Sequence, residues 1–157
     1  MSRRHILFAA LKRMGAFKKK HNSKMNLTLG LHLMNTYEDL IRRGVDEEVA
    51  LAGGLHSIYG TNAFQNATAT QDKRIVLQKL FGERAERLAW LFGHIDRPRC
   101  LKDGDAKDWR TGERVDLSPE DLRDLRLIEA ANLRDNGASL DRYPWLKAMG
   151  DETKVAA

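Results

Sequence analysis

Cysteine occurs once in this chain of 157 residues, as Cys100, and proline three times. A lone thiol excludes a disulfide framework and fits a reducing compartment, so a cytoplasmic location is expected. No apolar run approaches the roughly 18 residues that a membrane-spanning helix needs. Aromatic residues make up only 7%, and no repeat or low-complexity stretch interrupts the sequence. Acidic residues are missing from the first 37 positions, Glu38 being the first. What is present is 42% apolar and 31% charged, enough to bury one core and too apolar for a disordered chain.

The missing acids make the charge lopsided. Net charge is +5, and eight of the 27 lysines and arginines fall in residues 1–37, which therefore carry +8. The other 120 residues hold 19 such cations against 22 acids, a balance of −3. Within residues 5–17, Ile6, Leu7, Ala10, Leu11 and Met14 recur at helical spacing with Lys12 and Arg13 outside the stripe, the pattern of a basic amphipathic helix. Such a helix attracts phosphates, anionic lipid or acidic partners. The plainer expectation is a helix packed on the core with a solvated basic face. Nucleic-acid binding is disfavoured, because no aromatics interleave with the cations and no recognition motif follows.

The rest reads as mostly helix. Asn22 or Ser23 is expected to cap a helix running to about Arg43, with Leu27, Leu31, Met34 and Ile41 on one face and Gly44 as its stop. Asp46 caps a second helix, on which Val45, Val49, Ala52 and His56 share a stripe and Gly53-Gly54 permits close approach of a neighbour. Residues 70–81 and 83–93 are expected as a third and a fourth helix, separated by Gly82. Helix signals vanish over 98–117, where the turn residues suggest a loop with a small hairpin. Ser118-Pro119-Glu120-Asp121 then opens a helix reaching about Arg134. After Tyr143-Pro144-Trp145 a polar, frayed end is expected. The segments are accordingly a basic N-terminal helix (1–20), a helical domain (21–137) and a C-terminal extension (138–157).

Three histidines carry the functional argument: His32 inside the first long helix, His56 closing the second and His94 closing the fourth. Neutral imidazoles converging from apolar faces suit zinc, iron or another late divalent ion; the competing reading is of hydrogen-bonded core histidines. Three nitrogens and an open position for water would make a mononuclear site, with Asp96 or Glu129 as a further ligand or general base. Tyr37 and Glu38, one turn beyond His32, would orient a ligand imidazole or a substrate. Ser57 beside His56 lacks a nucleophile elbow, and Asp103-Gly-Asp105-Ala-Lys-Asp108 lacks the glycine and glutamate of a calcium loop.

The runs Gly30-Leu-His32-Leu-Met-Asn-Thr-Tyr37-Glu38 and Gly53-Gly-Leu-His56-Ser57-Ile-Tyr59-Gly60-Thr61 resemble the first half of an HD domain. More specifically, the chain is similar to a small HD-like family of unknown function that shares the His-Ser-x-Tyr-Gly-Thr segment, the helix Gly82-Glu-Arg-Ala-Glu-Arg-Leu-Ala-Trp-Leu-Phe92 and the late pair Ala131-Asn132. The resemblance spans about residues 21–136. It implies an all-α, single-domain bundle around a metal site, with His32 and His56 as ligands and phosphoester hydrolysis as the common chemistry. Some relatives instead use iron for oxygenation. Ser57 stands where the superfamily has its signature Asp, and Asn132 near its last ligating Asp, so a two-metal centre is not expected.

The expectation is thus one divalent ion (Fe, Zn or Mn) on His32, His56 and His94, with Glu129, Asp96 and Tyr59 as catalytic candidates. Tyr37, Glu38, Ser57, Thr61 and Asn132 are the candidates for binding a small, anionic substrate. The alternatives are an iron oxygenase and a binding module that has lost its metal.

Overall fold

A computed structural model describes residues 1–21, 25–65 and 67–155. Among them are seven α-helices and one two-stranded sheet, so the chain is all-α. The helices are α1 (Arg3–Arg13), α2 (Leu29–Arg42), α3 (Glu47–Leu55), α4 (Arg74–Phe81), α5 (Glu83–His94), α6 (Pro119–Asp135) and α7 (Pro144–Val155). None is long and apolar enough to cross a membrane.

The centre is α3, packed between α2, α5 and α6. Every residue from Val49 to Leu55 is buried, which explains a helix whose interior is apolar on all sides. Its two glycines are required for that placement. A Cβ on Gly53 would overlap the Leu40 side chain of α2, and one on Gly54 would lie 2.5 Å from Leu7 of α1. Asp46 caps α3 by accepting from the Glu48 N–H, with Glu47 and Glu48 in its positive first turn.

The basic N-terminal helix is part of the same core. Leu7 and Leu11 are fully buried, while Arg4, Lys12 and Arg13 stay exposed. Arg3 spans to α4, donating to the carbonyls of Leu80 and Phe81 at its C-terminal end, where a cation meets the negative pole of the helix.

Several boundaries differ from expectation, each for a local reason. The first long helix begins at Leu29, where the Thr28 hydroxyl accepts from the Leu31 N–H. The segment before it folds back: His21 N donates to the Leu27 carbonyl, Lys20 bridges Thr28, and Asn26 sits at φ 53. That pairing takes the backbone groups a helix would use, so Leu27 is not helical. The expected caps Asn22 and Ser23 lie outside the described residues. Residues 71–73 form a 3-10 turn ahead of α4.

The hairpin within 98–117 is present as β1 (Ala106–Lys107) and β2 (Arg114–Val115), with Ala106 opposite Val115. The capping box of Ser118 and Asp121 opens α6, with Pro119 in its first turn. The end expected to fray is instead helical. Pro144 starts α7, its missing N–H costing nothing there, and the fully buried Leu146 anchors it.

Candidate active site

His32 lies on the inward stripe of α2 with Leu29, Leu33 and Leu40, and is fully buried. His56 is the C-cap of α3 and is 1% exposed. The packing of α2 on α3 brings the two rings edge to face, with Nε2 atoms 3.2 Å apart. Behind each ring stands an acceptor. His32 Nδ1 lies 2.6 Å from Asp135 Oδ2, and His56 Nδ1 lies 2.6 Å from the Gly53 carbonyl. Asn132, one turn before Asp135 on α6, places its Oδ1 2.9 Å from His32 Nε2.

These partners assign the protons. Each Nδ1 donates to the oxygen behind it, which leaves Nε2 of His56 as a lone-pair nitrogen. Burial, then the charge on His32, holds His56 well below the ordinary imidazole pKa, so His56 is neutral near pH 7. Asn136 Nδ2 donates to Asn132 Oδ1 at 3.2 Å, which aims that oxygen toward the histidines. His56 Nε2 and the Asn132 oxygen therefore face His32 Nε2 as two acceptors. A proton on His32 Nε2 or a metal ion would satisfy such a cluster.

A cavity of about 170 Å³ opens beside the pair. His56, Ser57, Thr61, Arg97, Glu129 and Asn132 are in its wall, and His21 joins them. His21 stacks on His32 with ring centroids 4.0 Å apart, and its Nε2 bonds Asn136 Oδ1 at 3.0 Å. Burial and the neighbouring His32 lower its pKa to about 4. Arg97 donates to Glu129 Oε2 at 2.7 Å, and its guanidinium lies over the Phe92 ring. Four buried polar atoms around this cavity have no partner: Ser57 Oγ, Arg97 Nε, Glu129 Oε1 and His21 Nδ1. Native interiors seldom leave such groups bare unless a ligand or water meets them.

Of the residues singled out from sequence, His32, His56, Ser57, Thr61, Glu129 and Asn132 are brought together. Thr61 accepts from the Phe64 N–H and shapes the turn beside Ser57. His94 does not join the other histidines. It stacks on Trp90, its Nδ1 is 2.7 Å from the Trp90 carbonyl, and its other nitrogen faces Gln71. The reason is its position at the last turn of α5, where the ring folds back along its own helix. Asp96 is exposed and accepts from Asn62 beside the Cys100 loop. Tyr59 is buried elsewhere, donating to Glu86 at 2.8 Å. Tyr37 packs in the core, and Glu38 pairs with Arg4 at 2.6 Å.

The expected set of three histidines is therefore replaced by a pair. Among the described residues no group of three or more His, Cys, Asp or Glu side chains is arranged to hold a metal ion. The donor set at the pair is two nitrogens and an amide oxygen, which still fits one ion with open positions for water or substrate.

Sequence reasoning assigned no site role to His21, Arg97, Asp135 or Asn136. Asp135 and Asn136 had a signal, since they follow Asn132 at helical steps of three and four and so share its face. His21 and Arg97 come from irregular segments, where spacing says nothing.

The chain belongs to a family described as a domain of unknown function (DUF6817), which matches residues 10–97. That span holds His21, His32, His56, Ser57, Thr61 and Arg97 and ends before α6. It also begins within α1, so the family's domain includes part of the basic helix. Comparisons with curated proteins and with solved structures returned no match.

Proposed function

We propose that the chain is an HD-like, metal-dependent hydrolase acting on a small phosphate ester, with its centre at the His32–His56 pair. The observation that supports this most is the opposition of the two Nε2 atoms across 3.2 Å while both Nδ1 atoms are committed to oxygens behind them. His32, His56 and the Asn132 oxygen would hold one divalent ion, iron, zinc or manganese. When bound, such an ion supplies Lewis acidity and a water acidic enough to ionise near pH 7.

The chain's own groups do the rest. Asp135 and the Gly53 carbonyl fix the two rings and their tautomers, as partners behind metal-bound histidines do. Glu129, a residue of the cavity wall whose Oε1 is buried and unpartnered, would accept a proton from the water. Arg97 holds Glu129 in place at 2.7 Å, and its unpartnered Nε–H would donate to a substrate oxygen. Phe64 and Leu133 add apolar wall to the cavity, which lowers the local dielectric and strengthens these interactions.

A binding module without turnover is the second reading. It is favoured by the lack of a carboxylate on the Nε2 side of the ring pair, where Ser57 and Asn132 are both neutral. The test is phosphate release from a panel of small phosphomonoesters by protein reconstituted with zinc, manganese or iron. Turnover that falls at least a hundredfold in Glu129→Gln, with metal content unchanged, supports the hydrolase. Ligand binding without turnover supports the module, and oxygen uptake by the iron form alone would move the reading to an oxygenase.

A further inference from the structure

The four bare atoms belong to residues that line the cavity, and their chemistry limits what could meet them. Arg97 Nε is a donor, and Glu129 Oε1 and His21 Nδ1 are acceptors. Ser57 Oγ can act as either. Ser57, Arg97 and Glu129 are 2%, 7% and 1% exposed, so water outside the protein does not serve them. A bare phosphate offers mostly acceptors and would leave Glu129 Oε1 facing another oxygen. Arg97 is also already neutralised by Glu129 at 2.7 Å, so this end of the cavity does not select for a second negative charge. At about 170 Å³ the space is smaller than the ~300–1,000 Å³ pockets that hold drug-sized ligands.

Resting on the reading of this cavity as the substrate site, we propose that the substrate is a short phosphate ester whose organic part carries a hydroxyl or amine. The ester group would lie toward His56 and Asn132. The hydroxyl or amine would donate to Glu129 Oε1, with an adjacent oxygen accepting from Arg97 Nε and Ser57. Sites built to bond a hydroxyl reject the analogue lacking it strongly, because buried partners are then left bare.

The experiment compares glycerol 3-phosphate with propyl phosphate, which matches it in carbon skeleton and charge but lacks both hydroxyls. Binding to the full chain is measured by calorimetry, with and without zinc, for the wild type, Glu129→Gln and Ser57→Ala. The wild type is expected to prefer glycerol 3-phosphate at least tenfold, and the preference is expected to shrink in both variants. The wild-type ratio keeps the test valid even where Glu129→Gln fails to fold.

Equal affinity for the two esters overturns the proposal. Binding of neither, with zinc still taken up, also overturns it and leaves the metal reading standing. A tenfold preference without zinc uptake upholds the proposal while the hydrolase reading fails.

Discussion

Glu86 and Glu129 are both buried carboxylates facing an arginine, and they differ in what reaches their second oxygen. Glu86 Oε1 accepts from Tyr59 and Arg74, and its Oε2 from Arg74 and Gln78. Burial alone would raise its pKa, but those four donors outweigh the burial and hold it below the ordinary value. Glu129 has one oxygen on Arg97 and the other bare on a cavity. The first is a closed network that fastens α4 to α5 and the turn after α3. The second is half of a network, in a residue that lines a cavity. Buried charge by itself therefore does not mark a site; unsatisfied buried charge beside a cavity does.

The comparison breaks most readily at Glu86. Glu86→Ala strands the Tyr59 hydroxyl and the half-buried Arg74, and is expected to cost about 3 kcal/mol in urea unfolding. A loss below about 1 kcal/mol would mean that the closed network is not structural. Acidification comes next. Unfolded histidine takes up a proton near pH 6.5, whereas burial beside His32 delays uptake by folded His21 to about 4. Stability from this group is thus complete above about 6.5 and is lost as pH falls toward 4. Unfolding curves at pH 7 and pH 5 should differ less in His21→Gln than in the wild type.

Smaller effects sharpen the contrast. Tyr59→Phe removes one satisfied donor and is expected to cost about 1 kcal/mol. Ser57→Ala removes a buried hydroxyl that has no partner, so stability should stay within about 0.5 kcal/mol or rise. A clear loss of stability in Ser57→Ala would mean that its hydroxyl is satisfied in solution and that the cavity is not waiting for a ligand.

The sequence shows its helices well where periodicity and caps agree, as at Asp46 and Ser118. It fails where long-range pairing overrides local signals. The fold-back of Lys20 onto Thr28 shortens α2, and docking on α6 orders the polar end as α7. In the site, His32 and His56 were legible because apolar stripes say which face of a helix turns inward. His94 shows the limit of that reasoning. Its helix presents an apolar stripe as well, but a stripe gives the face and not the direction of the ring, and a local carbonyl and Trp90 capture it. Arg97 lies beyond the end of α5, where no period exists to read.

The central claim is that the two opposed imidazoles are built around a cation. Elemental analysis of protein purified without chelator or affinity-tag metal, before and after reconstitution with zinc, manganese or iron(II), tests it most directly. The account predicts close to one ion per chain, lost in His32→Ala and in His56→Ala and kept in His94→Ala. No metal in the parent and none on reconstitution, or equal loss in His94→Ala, would contradict it.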